Sequence, residues 1–320
     1  MKVLVFIELS EGIIKKSSLE AVCYGSQLAA EKGGECYALA IGEASETELA
    51  STGKFGAIKV LHASANGLEQ ENSAAYGKVI TAAMKAISAE VLVAAKSPLA
   101  DAVTARTAAA LKAGIAGNVI ALPDLSKGFV VKRSIFTGKA FAEMEITTAQ
   151  KVILIKKNAI EVRETGNTAK VEPFEVAVDS RFFDVKTIEV TKSGGAVSLP
   201  EADIVVSGGR GMKGADHWQP LLDLAEALGA ATACSKPVSD MDWRPHHEHV
   251  GQTGIKVSPN LYIACGISGA IQHLAGVNSS KVIVVINTDP EAPFFKAADY
   301  GIVGDVFEVL PKLTAAVKAL

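Results

Sequence analysis

The sequence predicts a two-domain α/β protein, and three observations predict it. Strand-like apolar runs alternate with helical patterns from the first residues, the alternation lapses in the middle of the chain, and it resumes over the last third. Such alternation builds βαβ units around a parallel sheet. In the first half, strands over 2–7, 36–41, 57–61, 91–94 and 117–122 alternate with helices over 18–32, 46–52, 72–88 and 100–113. From Gly128 the period changes: 129–136, 139–148, 151–156 and 170–178 alternate or run apolar with no helix between them, which predicts an antiparallel extension. The polar stretch 179–200, with Ser193-Gly194-Gly195, is the natural boundary. It gives an N-terminal α/β domain over 1–190 and a C-terminal domain over 191–320. In the latter, strands over 203–206, 230–233, 261–264, 282–286 and 301–303 alternate with helices over 216–228, 268–275, 291–298 and 305–319. That pattern predicts a doubly wound sheet, whose ligands bind at the carboxyl ends of the strands.

Composition narrows the function classes. The chain has 320 residues, 49% hydrophobic and 21% charged, enough to bury real cores. A net charge of −3 lacks the basic surface of a nucleic-acid binder. Cys23, Cys36, Cys234 and Cys265 show neither a C-x-x-C pair nor metal spacing, with two expected in strands and one in a helix. No apolar run approaches the roughly 20 residues of a membrane helix. MKVLVFIE already reads as a buried strand, so a cytoplasmic protein with no signal or transit peptide and no membrane-embedded part is expected.

The polar turns carry the chemistry. After the strand run 261–264 come Gly266, Ser268 and Gly269, then a helical pattern with Gln272 and His273. Small residues before a helix leave N–H groups free for an anion, with Ser268 a good N-cap. A capped helix with His273 turned outward is the plainer alternative. Gly209-Arg210-Gly211-Met212-Lys213-Gly214 matches G-x-G-x-x-G, but a nicotinamide fingerprint needs an acidic residue some 20 positions on, and Cys234, Ser235 and Lys236 stand there instead. A turn needed for packing alone remains open. Val250-Gly251-Gln252-Thr253-Gly254 offers an amide and a hydroxyl between glycines, or a plain tight turn. Asn287 and Asp305 are small polar groups at element ends, Asp305 being explicable as an N-cap. His246-His247-Glu248-His249 is contiguous, lacks distant partners for a four-ligand set, and reads as a solvated loop. No nucleophile elbow, H-E-x-x-H or Walker motif occurs, which disfavours side-chain catalysis and leaves a holder of a redox cofactor.

The strings VVSGGRG, VGQTG, LYIACGISGAIQHLAG and SKVIVVINTDPEAPFFKAADYGIVGD resemble the alpha subunit of electron-transfer flavoproteins, closely over about 200–310 and plausibly over the whole chain. The resemblance implies a heterodimer with a beta subunit and one FAD in the C-terminal domain, with the N-terminal domain at the subunit interface. It implies an electron carrier, not a substrate-converting enzyme. Such carriers accept electrons from acyl-CoA or other dehydrogenases and pass them, through a flavin semiquinone, to a quinone oxidoreductase. In the family the beta subunit often carries AMP, and some relatives bifurcate electrons from NADH. By position the resemblance assigns Arg210, Ser235, Lys236, Val250, Gly251, Gln252 and Thr253 to the cofactor, Thr253 at flavin N5. It also assigns Ser268, Gly269, Ala270, Ile271 and Gln272 to the pyrophosphate and ribityl region, His273 to the O2 edge, and Asn287, Asp305 and Val306 to the adenosine end. Lys236 departs from the family's usual arginine, exchanging a planar guanidinium for a compact ammonium. A nicotinamide-dependent dehydrogenase using the GRGMKG turn, and a non-redox nucleotide-binding scaffold, are the rival readings.

Overall fold

The computed structural model describes residues 1–319 except 66, 139, 186 and 190–198, so the expected boundary and its Ser193-Gly194-Gly195 lie outside the described residues. The chain divides into two compact units, Met1–Thr191 and Lys192–Leu320.

The first unit is built on a nine-stranded sheet. Its elements are β1 (Lys2–Ile7), a small hairpin of β2 (Leu9–Ser10) and β3 (Ile13–Ile14), α1 (Lys16–Ala30), β4 (Glu35–Ile41), α2 (Glu46–Ala50), β5 (Lys59–Ala63), α3 (Ser73–Ala86) and β6 (Val91–Ala95). There follow α4 (Pro98–Leu111), β7 (Gly114–Val119), β8 (Val130–Ile135), β9 (Ala140–Glu145), β10 (Lys151–Ile155) and β11 (Lys170–Pro173). The sheet order is β11-β5-β4-β1-β6-β10-β7-β8-β9. Alternation within β1 explains the layers: Val3, Val5 and Ile7 enter one core with Val22 and Leu28 of α1, while Leu4 and Phe6 enter the other with Val79 of α3 and Val103 of α4. Helix starts are written locally. Asn72 Oδ1 accepts from the N–H groups of Ala74 and Ala75 at 3.0 and 3.1 Å, and Ser97 caps α4 just before Pro98.

Two expectations need correction here. Only β8 and β9 form an antiparallel extension; β10 pairs parallel with β6 and β7, and β11 parallel with β5. Val152-Ile153-Leu154-Ile155 is buried throughout, the continuous apolar run of an interior parallel strand, whereas β9 alternates half-buried and exposed as an edge should. The fifth strand starts at Lys59, not 57, because Gly56 (φ +101°) closes the preceding 3-10 turn. All four cysteines are buried and free, Cys23 in α1 and three of them, Cys36, Cys234 and Cys265, in strands.

The second unit has a five-stranded parallel sheet in the order β13-β12-β14-β15-β16. Its elements are β12 (Ile204–Gly208), α5 (Gln219–Leu228), β13 (Ala231–Cys234), α6 (Lys236–Asp240), β14 (Leu261–Cys265), α7 (Ile271–Val277), β15 (Val282–Asn287), β16 (Tyr300–Val303) and α8 (Val306–Lys318). The chain leaves β12 toward one side, for β13, and resumes on the other, at β14. The β12–β14 seam is therefore the switch point where open α/β sheets bind ligands. The helix expected over 268–275 begins only at Ile271 with Ala270 as its uncapped N-cap, and the one over 291–298 is a 3-10 turn, Pro293–Ala297. The Ser268 carbonyl instead accepts from Phe294 N–H at 3.1 Å, which holds that segment out of the helix. No helix among the described residues is long and apolar enough to cross a membrane.

Candidate functional site

Four strand ends in the second unit open onto one cavity of about 790 Å³, in the upper part of the roughly 300–1,000 Å³ typical of small-molecule sites. At the seam the turns after β12 and β14 touch backbone to backbone. Gly209 N–H donates to Cys265 O at 2.9 Å and Gly211 N–H to Gly266 O at 3.0 Å. Gly266 has φ +63°, and a Cβ there would fall 2.7 Å from Gly211 Cα, so only glycine fits.

The Val250–Gly254 turn forms a further wall. It hangs from β13 through Val250 N–H to Cys234 O (3.0 Å) and from α7 through Gln252 N–H to Gln272 O (2.8 Å). Asn287 Nδ2 donates to Ile267 O at 3.0 Å, fastening the end of β15 to the turn after β14. Arg210 and the exposed Lys236 bring positive charge to the lining, and Asp240 and Asp289 bring negative charge.

Of the residues singled out in the sequence, Arg210, Ser235, Lys236, Val250, Gly251, Gln252, Thr253, Ser268, Ala270, Gln272, His273 and Asn287 line this cavity. Gly269, Ile271, Asp305 and Val306 are not among its lining residues. Gly269 packs against the backbone of Phe294, and Ile271 is exposed. Asp305 caps α8, accepting from Phe307 N–H at 2.9 Å, and pairs with Lys213 Nζ at 3.2 Å. Those two contacts, the Phe307 N–H first, hold its carboxyl below the usual carboxylate range. Val306 is buried in the core beside Met212 and Leu310. Ser268 is exposed on the lining and caps nothing. The GRGMKG turn passes into 3-10 turns at Arg210–Met212 and Ala215–His217, with α5 starting only at Gln219, so the strand–turn–helix of a nicotinamide fingerprint is absent.

The loop read as solvated is so only in its first half: His246 and His247 are exposed, Glu248 and His249 are not. Glu248 is buried and accepts from Arg244 Nε at 2.8 Å, Arg244 Nη2 at 2.5 Å and Thr232 Oγ1 at 3.1 Å. His249 is buried and lines the cavity. Sequence reasoning missed it; its place directly before the Val250–Gly254 turn was the available signal.

His273 is buried, not turned outward. Its Nε2 meets Tyr262 Oη at 2.9 Å, and the ring stands edge-on to Phe294 at 5.8 Å. Burial, then the nearby His249, push its pKa down to about 4, against an opposing hydrogen bond with the Val250 backbone. Unfolded, the ring has the ordinary value of about 6.5. Between those values the unfolded chain binds a proton that the fold refuses, so stability is present above pH 6.5 and falls as pH drops toward 4, by about 3 kcal/mol in all. His273→Gln keeps a polar partner for Tyr262 and cannot ionise. Urea unfolding at pH 7 and pH 4.5 should show a larger loss in the parent than in this variant; equal losses would refute the assignment.

Comparison with known proteins agrees with the architecture. The family model described as "Electron transfer flavoprotein domain" matches residues 3–180, and that described as "Electron transfer flavoprotein FAD-binding domain" matches residues 198–278. The electron transfer flavoprotein subunit alpha of Bacillus subtilis (strain 168) is 37% identical, covering 100% of this chain and 98% of the relative. That of Syntrophomonas wolfei is 36% identical over 98% of each chain, and the protein FixB of Clostridium saccharobutylicum is 35% identical over 99% of this chain and 96% of its own. Matched in both halves and aligned end to end with these relatives, the chain belongs to the electron transfer flavoprotein alpha-subunit family.

Proposed function

We propose that this cavity holds FAD and that the chain acts, paired with a beta subunit, as an electron carrier. The observation that carries the reading is the convergence of the Gly209, Ser235, Gly266 and Asn287 turns with the Val250–Gly254 turn on a single cavity containing two buried imidazoles. The unpartnered Nδ1 of His249 fits a polar occupant, because buried polar atoms are ordinarily paired. Bound FAD supplies the redox chemistry, and the protein supplies binding, orientation and electrostatics. His273 and Thr253 would serve the isoalloxazine, Arg210 and Lys236 would add positive charge, and Ser268, Ala270 and Gln272 would serve the phosphates and ribityl chain. Glycine-on-glycine contacts let the backbone approach closely. Gly269, Ile271, Asp305 and Val306 would act by shaping this wall and anchoring α8.

The partner classes follow from the family reading: a beta subunit, which often carries AMP, dehydrogenases such as those acting on acyl-CoA as donors, and a quinone oxidoreductase as acceptor. Phe136 and Phe141, 76% and 59% exposed beside and on the outer strand β9, give the first unit an apolar surface suited to the beta subunit. The deciding experiment is an absorbance spectrum of the co-purified alpha–beta pair during stepwise dithionite reduction. A yellow, reducible chromophore at one FAD per alpha chain is expected. A colourless pair that refuses added FAD overturns the proposal, and reduction of the bound flavin by NADH alone would move the chain to a bifurcating role.

A further inference from the structure

Building on the FAD reading, we propose that His249 is a positioning residue of the same cavity, a second imidazole that props the Val250–Gly254 turn and takes up a proton from solvent when negative charge accumulates in the cavity. Its backbone is fixed from both directions: its N–H donates to His246 O at 3.1 Å, and its carbonyl accepts from Ile255 N–H at 2.8 Å. The ring fills the space beneath the turn. A Cβ on Gly254 would fall 2.8 Å from His249 Nδ1, and one on Gly251 would fall 3.4 Å from Nε2. The residue is 3% exposed, and Nδ1 has no hydrogen-bond partner.

Its charged surroundings come from three elements. The His246 ring lies 5.6 Å away on the same loop, Lys236 and Asp240 face it from α6, and His273 from α7. Glu248 is its neighbour in sequence, but that carboxylate is committed to Arg244 and Thr232. Burial, followed by His246 and Lys236, holds the His249 pKa below its ordinary value against the pull of Asp240. The ring is thus neutral at neutral pH, and an electron arriving in the cavity reverses the balance that keeps it so. The balance is simple: one proton from solvent is bound at the imidazole, and no covalent bond is made or broken.

The test uses the FAD-loaded alpha–beta complex with 15N-labelled histidine, the His249 signal being assigned by its loss in His249→Gln. In the oxidised complex its titration midpoint should lie below 6.5, and on reduction it should rise by about 1 pH unit or more. The potential of bound FAD, measured from pH 5 to 8, should depend less on pH in His249→Gln than in the parent. An unmoved midpoint on reduction, or superimposable potential profiles, overturns the proposal. If His249→Gln fails to retain FAD, the parent's titration and His249→Asn decide instead. Failure of the parent itself to bind FAD shows as a colourless complex and sinks the underlying reading, whereas a yellow parent with an unmoved His249 sinks this inference alone.

Discussion

Gly276→Ala should weaken FAD binding by about tenfold or more and destabilise the second unit by about 1–3 kcal/mol. A Cβ at position 276 would fall 2.6 Å from both Cα and N of Gly251, where an ordinary carbon contact needs about 3.5–4.0 Å. Neither neighbour is a side chain that can swing away. Gly251 belongs to the turn carrying Gln252 and Thr253, and Gly276 lies in the last turn of α7, whose Gln272 carbonyl holds Gln252 N–H at 2.8 Å. A methyl group therefore has to push the turn and the helix apart by about 1 Å, the scale at which positioning of bound groups is lost. Gly117→Ala is the control, because a Cβ there meets nothing within 4 Å. Fluorescence titration with FAD and urea unfolding of both variants check the two parts. An unchanged FAD affinity in Gly276→Ala would show that the turn does not touch the cofactor.

That contact also marks the limit of what the sequence displays. The strands at 91–95, 204–208 and 261–265 are legible because each is a short run dominated by apolar residues ending at a small or polar turn. The strand at 151–155 is equally apolar, yet its direction depends on which strands it lies between, and nothing local encodes that. The sequence starts α7 three residues early because Ser268 has the chemistry of an N-cap; Gly269, at φ +82° against the Phe294 backbone, breaks the helix there, and this is a tertiary fact. The turns at 209–211, 250–254 and 266–270 could be picked out as polar, glycine-rich strand ends. Their meeting on one ligand is legible from the doubly wound order and the resemblance; the close contacts that hold them there, Gly211 on Gly266 and Gly251 on Gly276, join distant stretches of chain and are not.

Asp305 and His249 show from two sides how partners are chosen in the fold. The resemblance gives Asp305 a ligand role, and in the fold its carboxylate accepts from Phe307 N–H and pairs with Lys213, the N-cap duty that its position suggests. His249 reads in sequence as one more polar loop residue, yet the turn it precedes draws it inward. Polarity along the chain reports what a side chain can do; burial decides which partner it finds.

Arg244→Leu should unfold the second unit far more easily, by about 3 kcal/mol, because it strands a buried carboxylate. Glu248 is 7% exposed, and Arg244 grips both of its oxygens, at 2.8 and 2.5 Å, with the guanidinium carbon 5.3 Å from the centre of the Trp218 ring. That bidentate hold raises the Arg244 pKa and fixes the loop that delivers His249 and Val250 to the cavity. Arg244 is itself 23% exposed, so some water reaches the pair, and the cost belongs at the lower end of the range for a broken buried ion pair. The penalty comes from the orphaned charge and not from a missing attraction, so removing the charge should restore much of the stability. Glu248→Gln in the Arg244→Leu background leaves a neutral amide that still accepts from Thr232, and urea unfolding of both singles and the double gives the coupling. A double variant no more stable than Arg244→Leu alone would mean that the arginine matters through its packing on Trp218, and that the carboxylate is hydrated after all.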